Sequence, residues 1–191
     1  LSQQREALNQ FLRNKGYYRF TPSFIAFEID TTQVNRSVAV ELVVSPPLPD
    51  VNFSEAKQGH ETFTIGQVYF QYSYTDDEHF DTIYYGGYAF IAPETYPLES
   101  RVLTQNTFLN YGMLYRQERV EQTYRRLAAL PAISHVNIRF EEQGQELDVI
   151  ITLTPAQRQS LGLETQGTNS AGFLGLEGDL VYRHRNIFHG S

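Results

Sequence analysis

What most restricts the folding of this chain is a strict two-residue alternation on both sides of one glycine turn. Val136, Ile138 and Phe140 are separated by Asn137 and Arg139, and Leu147, Val149, Ile151 and Leu153 stand on alternate positions with Asp148 and Thr152 among the residues between them. Period-two apolar spacing buries one face of a strand and wets the other, and Gln143-Gly144-Gln145 supplies the tight connection of a hairpin. Just upstream the period changes: Val120, Tyr124, Leu127 and Ala128 fall at helical spacing, which predicts an amphipathic helix over 115–130 that Pro131 closes. Helix followed by hairpin is one packing unit.

The same unit occurs near the start. Residues 2–15 carry Leu8, Phe11 and Leu12 on one helical stripe, together with Leu1 and Ala7, and Gly16 follows as a C′ residue. Two alternating runs come next: Ile25, Phe27 and Ile29, then Val38, Val40, Leu42 and Val44, joined by residues 31–36. The first hairpin ends Val43-Val44-Ser45-Pro46 and the second ends Ile151-Thr152-Leu153-Thr154-Pro155, which sets Pro46 and Pro155 109 positions apart. Two copies of one module are predicted, the first without its opening strand and first helix.

Between the copies, Pro46, Pro47 and Pro49 forbid helix and central strand, so residues 46-63 read as a linker. Thr64 to Ser73 reads as a strand through Val68, Phe70 and Tyr72, and residues 74-97 as an insertion with some β structure broken at Gly86-Gly87. A first helix of the second module is expected over 99–109. The expected architecture is α+β: a three-stranded sheet backed by two helices.

The end of the chain differs in kind. Leu161 and Leu163, then Leu174, Leu176, Leu180 and Tyr182, alternate with small or acidic residues. Transmembrane barrel strands of about 9 to 11 residues carry this pattern, as does any half-buried hairpin. The chain begins in a helical pattern without Met and stops after a strand-like segment, so it is expected to be part of a longer polypeptide.

Composition narrows the function. With 15 Lys and Arg against 22 Asp and Glu the net charge is −7, which argues against nucleic acid as the partner. Zero Cys removes disulfides, thiolate nucleophiles and thiolate metal sites, and is compatible with export. No apolar run approaches the roughly 18 residues of a membrane helix.

Residues 120–130, followed by Val136-Asn137-Ile138-Arg139-Phe140 and Leu147-Asp148-Val149-Ile150-Ile151, resemble a POTRA domain of the BamA/TamA outer-membrane assembly superfamily, in which strand, helix, helix, strand, strand is the element order. Thr168-Asn169-Ser170-Ala171-Gly172 and residues 182–190 resemble the turn and strand that open that family's barrel. Gly112 followed by Tyr115 is similar to the family's Gly-x-x-Tyr, although Arg116 stands where Ser or Thr usually caps the helix.

The resemblance implies tandem POTRA-like modules. Residues 1-45 would be the C-terminal part of one module, residues 64-155 a second with its insertion at 74-97, and residues 156-191 the first strands of a truncated barrel. It implies a non-enzymatic, cofactor-free region on the periplasmic face of the outer membrane. Its partners would be unfolded outer-membrane β-barrel proteins, accessory periplasmic or lipoprotein subunits, and the membrane itself through the barrel. In that arrangement residues 146–154 are central, leaving 134–142 and 64–73 as edges. An edge strand offers unpaired N–H and C=O groups to an incoming strand, so Val136, Asn137, Ile138, Arg139 and Phe140 are the expected docking edge, with Asn137 and Arg139 tuning selectivity.

Competing chemistry is thinner. Asp76, Asp77, Glu78, His79 and Asp81 lack the spacing and glycine of a calcium loop. His184 and His189 sit among arginines, and His60 and His135 have no partner at a telling spacing. Glu141 with Glu142, or Glu94 with Glu99, are not placed across a cleft as a glycosidase requires. Arg116, Arg119, Arg125 and Arg126 form either a solvated helix face or a site for anionic head groups. The alternative functional reading is a glycan- or peptide-binding module that stacks ligand on Tyr84, Tyr85, Tyr88 and Tyr96 of the insertion. A hydrolase using the insertion's acids is a third.

Overall fold

The computed structural model describes residues 2–30, 38–47, 59–73, 81–92, 99–156, 159–170 and 173–184. Helix α1 (Ser2–Arg13) and a 3-10 turn (Pro22–Phe24) precede strands β1 (Ile25–Asp30) and β2 (Ala39–Val44). Strands β3 (Thr64–Tyr72), β4 (Asp81–Tyr85) and β5 (Tyr88–Ala92) follow, then helices α2 (Ser100–Gln105) and α3 (Gln117–Ala128). Strands β6 (Ile133–Gln143), β7 (Glu146–Pro155), β8 (Gln159–Ser170) and β9 (Phe173–His184) complete the order. The fold is α+β, and both helix-then-hairpin units are present.

Contacts gather the chain into two compact units. One holds Leu1–Val68, Phe108–Gln122 and Phe140–Val149, and the other Tyr69–Thr107, Thr123–Arg139 and Ile150–Ser191. The principal sheet has five strands in the order β4-β5-β3-β7-β6. The three expected strands are contiguous in it, with β7 central. The insertion adds the other two strands as a hairpin, whose Gly86 and Gly87 take φ of +61° and +88°, the pair of positive values that a type I′ turn needs. The acidic residues Asp76, Asp77, Glu78 and His79 lie outside the described residues.

This hairpin corrects the expectation that Thr64–Ser73 is an edge. Strand β5 pairs in parallel with β3, setting Tyr69 beside Ala89, Phe70 beside Phe90 and Gln71 beside Ile91. The Phe70 and Phe90 rings stack at 4.9 Å with planes 6° apart, and Tyr88 packs on Phe70 at 5.8 Å. Such aromatic pairs add about 0.5–1.5 kcal/mol beyond their burial. At the other end of β3, Ile65 N–H donates to Met113 O at 2.7 Å, Gly112 N–H to Ile65 O at 2.7 Å and Tyr115 N–H to Phe63 O at 2.9 Å. Short-range periodicity does not reveal either cover, because both come from segments distant in sequence.

The helices also differ in detail from their periodicities. On α3 the buried residues are Thr123 and Leu127, while Tyr124 is exposed. On α1 Leu8 and Leu12 are half-buried and Phe11 is exposed, with the Lys15 ammonium 5.6 Å from its ring centre. The N-terminus of α3, where Arg116 replaces the usual cap residue, is served from elsewhere: Glu118 N–H donates to Asn14 Oδ1 at 2.9 Å.

Burial separates the two copies of the hairpin. Leu147, Val149, Ile151 and Leu153 of β7 are each 0% exposed, whereas the residues 109 positions earlier, Val38, Val40, Leu42 and Val44, are 56, 55, 48 and 45% exposed. Strand β7 lies between β3 and β6, while among the described residues β2 has β1 alone, paired antiparallel from Ile25↔Val44 to Asp30↔Ala39. Strands β8 and β9 form a separate antiparallel pair of 12 residues each, with Leu161 opposite Tyr182 and Leu163 opposite Leu180.

Gly66 is where β3 comes closest to β7. A Cβ there would run into the Asp148 carboxylate oxygen and lie 3.3 Å from the Asp148 amide nitrogen. That oxygen accepts the Gln67 N–H at 2.8 Å, so it cannot move aside without losing a bond. Gly66→Ala is expected to destabilise the protein by about 1–3 kcal/mol, read as a lower urea midpoint at unchanged slope.

Candidate functional site

Strand β6 is the outermost strand of the five-stranded sheet on the side of β7. Its side chains obey the predicted alternation: Val136 is buried, Ile138 and Phe140 are half-buried, and Asn137 and Arg139 are exposed. The apolar three anchor the strand inward. Asn137 and Arg139 stand on the opposite face, where they can meet the side chains of a strand laid along the margin. One main-chain edge of β6 is bonded to β7. Its other edge has no strand partner among the described residues.

The far end of β6 is held in place by aromatic packing. Phe140 meets Tyr18 at 5.4 Å and Tyr115 at 5.8 Å, and Tyr18 in turn meets Tyr115 at 5.1 Å and Phe63 at 5.8 Å. The Arg13 guanidinium donates to the Tyr115 hydroxyl at 2.9 Å and sits 5.8 Å from both the Tyr18 and Tyr115 ring centres. Arg19 forms an ion pair with Glu142 and lies over the Phe63 ring at 5.5 Å. Gly16, at φ +100°, lets the chain turn out of α1 and accepts the Phe63 N–H at 2.9 Å. The sequence reading missed this cluster, since Tyr18 and Arg19 belong to no periodic run. Burial chiefly, then the Glu142 charge, pushes the Tyr18 phenol above its ordinary pKa, against the smaller pull of Arg13 and Arg19. Burial alone does the same at Tyr88.

The other candidates disperse. Tyr88 is buried against Phe70 and is no part of a ligand platform, which corrects that expectation. Tyr84 and Tyr85 are exposed, but as consecutive strand residues they face opposite sides of the sheet and cannot stack on one sugar. Tyr96, Glu94 and His189 lie outside the described residues, and of His184 only the backbone is described. His60 is packed edge-on between Phe20 and Phe24 at 4.8 and 4.7 Å, with Nε2 2.9 Å from Ser45 O. Glu142 is engaged by Arg19, so Glu141 and Glu142 do not form a free acid pair. Among the described residues no three His, Asp or Glu stand together as metal ligands, and no helix is long and apolar enough to cross a membrane, which says nothing of strands.

No family model matches the sequence, and no curated protein does. Solved structures do match in fold. The structure of BamA from Haemophilus ducreyi lacking POTRA domains 1–3 is 13% identical, aligns with 97% of this chain at a TM-score of 0.56, and has 28% of its own length covered. POTRA domains 3–5 of Haemophilus influenzae BamA match 80% of the chain at 18% identity and a TM-score of 0.45, with 46% of that chain covered. The N-terminal domain of Omp85 from the cyanobacterium Thermosynechococcus elongatus matches 80% at 16% identity and 0.41, with half of that chain covered. The POTRA relationship expected from the sequence is thus present as a shared fold, and the chain spans less than a third of the length of that first BamA structure.

Phenols held above their ordinary pKa of about 10 make stability depend on alkaline pH. Below that value Tyr18 and Tyr88 are protonated in both folded and unfolded chains. Above it the unfolded chain releases its protons first, so stability falls as pH rises. Urea unfolding at pH 8 and pH 10.5 is expected to give a lower midpoint at the higher pH, and Tyr88→Phe is expected to shrink that difference.

Proposed function

We propose that this chain is the periplasmic POTRA region, with the opening strands of the barrel, of an outer-membrane protein that assembles or translocates other polypeptides, and that β6 receives unfolded outer-membrane clients by strand addition. The observation that carries the reading is the position of β6: a strand of 11 residues at the end of the sheet, anchored inward by Val136, Ile138 and Phe140, with no further strand paired to its outer side among the described residues. Main-chain bonds along such an edge demand an extended partner and little of its sequence, which suits clients that share only alternation. The fold shared with BamA over 97% of the chain supports the setting, on the periplasmic face of the outer membrane, and the 12-residue pair β8 and β9 has the length a barrel strand requires.

In this reading the region works through backbone groups and needs no cofactor or catalytic side chain. Accessory periplasmic or lipoprotein subunits are further candidates for the same edge or for the helix faces. The aromatic cluster around Tyr18 gives the edge a fixed support, because Phe140 is both a β6 residue and a member of that cluster.

A blocked nine-residue peptide that alternates threonine with valine and tyrosine and carries one lysine serves as the probe. Titrated into the labelled protein, it is expected to slow amide exchange within residues 136–140. Ile138→Pro, at an edge position where proline is tolerated by the fold, is expected to weaken binding at least tenfold, and Ile138→Val to leave it within twofold. A folded Ile138→Pro protein that binds the peptide like its parent would overturn the proposal.

A further inference from the structure

The five-stranded sheet has a second margin, strand β4, which the insertion contributes. The register of the β4 and β5 hairpin determines which of its backbone groups face outward. Tyr85 and Tyr88 close the two-residue Gly86-Gly87 turn and therefore bond to each other, and the alternation of an antiparallel ladder then assigns Ile83↔Phe90 and Asp81↔Ala92 to bonded pairs. Thr82 and Tyr84 fall on the intervening positions, opposite Ile91 and Ala89, so their N–H and C=O groups point away from β5. The Thr82 N–H is already occupied by a local acceptor, the Asp81 Oδ1 at 2.7 Å. Tyr84 has no such cap among the described residues.

Among the described residues this margin lacks most of the devices that normally protect an edge. It holds no Lys, Arg or Pro, its single charge is Asp81, and all five residues are exposed, Tyr84 to 73%. Outward groups at alternate residues are satisfied in register by another extended chain, so the geometry itself names the occupant as a strand. At about 3.4 Å per residue the margin runs for roughly 17 Å, too short to bury the roughly 1,200 Å² that a stable complex of two folded copies needs. A short reversible contact with a flexible segment fits that length.

We infer that β4 is a second strand-addition margin, taking an extended, strand-forming segment of another polypeptide that is aromatic or β-branched beside Ile83, Tyr84 and Tyr85 and has no acid opposite Asp81, with the Asp81 carboxylate holding the Thr82 amide until the incoming strand displaces it. Aromatic and β-branched cross-strand pairs supply the preference at Ile83, Tyr84 and Tyr85. The Asp81 charge, on a chain of net charge −7, disfavours an acidic segment. The inference shares the strand-addition premise of the proposed function but concerns the opposite side of the sheet, and its readout is separate.

The same blocked peptide is titrated into the full chain while individual amides are followed by hydrogen exchange in NMR. Exchange at Thr82 and Tyr84 is expected to slow, and the peptide methylated on alternate backbone nitrogens is expected to produce no slowing. Tyr84→Pro removes an outward N–H without touching the bonds to β5, and should weaken this protection at least tenfold while Tyr84→Phe leaves it within twofold. Asp81→Ala, which frees the Thr82 amide and removes the charge, should tighten it about threefold. Protection confined to residues 136–140 would overturn this inference and leave the proposed function standing, whereas protection confined to Thr82 and Tyr84 would do the reverse. Thr82 and Tyr84 amides already slow in the free protein, or unchanged protection in folded Tyr84→Pro, would overturn it as well.

Discussion

The constraint from which the rest of this structure follows is that every main-chain N–H and C=O in a buried strand must find a partner. Strand β3 meets it on both sides. Strand β7 lies along one margin, and the other is shared between β5 near Phe70 and the 112–115 segment near Ile65. With β3 and β7 flanked on both sides, the margins left to the sheet among the described residues are β6 and β4, which differ in character. Strand β6 is long, carries charged and amide side chains on its exposed face and ends in an aromatic cluster. Strand β4 is short and aromatic, and among the described residues its check is the Asp81 carboxylate on the Thr82 amide.

A second constraint acts on the segment between the hairpin copies. Phe63 N–H binds Gly16 O, Gln145 Nε2 donates to Glu61 at 3.1 Å, and Arg19 pairs with Glu142, while Tyr18 sits among Phe63, Tyr115 and Phe140. All but the Gln145–Glu61 bond join the chain around residues 14–20 to the unit's later parts, so the start of β3 and the end of β6 share one support. The Asn14 carboxamide does the same for α3, replacing the local cap that Arg116 cannot supply. Removing one ring from this cluster would therefore loosen strand ends and a helix start together, a cooperative cost larger than one contact.

How legible this was in the sequence depends on the range of the interaction. The alternation of Val136, Ile138 and Phe140, the glycine turn at 144 and the apolar run of β7 are local, and the strands formed where that pattern put them. Helices α1 and α3 were legible too, though Phe11 and Tyr124 fell outside their buried faces because a helical stripe locates a face only to within a residue or so. The parallel pairing of β3 with β5 was not legible. It joins residues 20 apart through a hairpin whose Gly-Gly turn and tyrosines resemble a loop in composition, and it turned an expected edge into an interior strand and a supposed ligand platform residue, Tyr88, into core. The Asn14 cap spans 104 positions, and no local pattern encodes it.

The repeat carries the same lesson into energetics. Val38, Val40, Leu42 and Val44 have the spacing and chemistry of Leu147, Val149, Ile151 and Leu153, yet the first four are about half exposed and the second four fully buried. Alternation specifies which face of a strand is to be covered and says nothing of what covers it. In β7 the flanking strands β3 and β6 accompany that cover, whereas among the described residues β2 has β1 alone. The hydrophobic free energy gained by an alternating strand, at about 25 cal/mol per Å² removed from water, is thus a property of its neighbours and is realised only when they arrive.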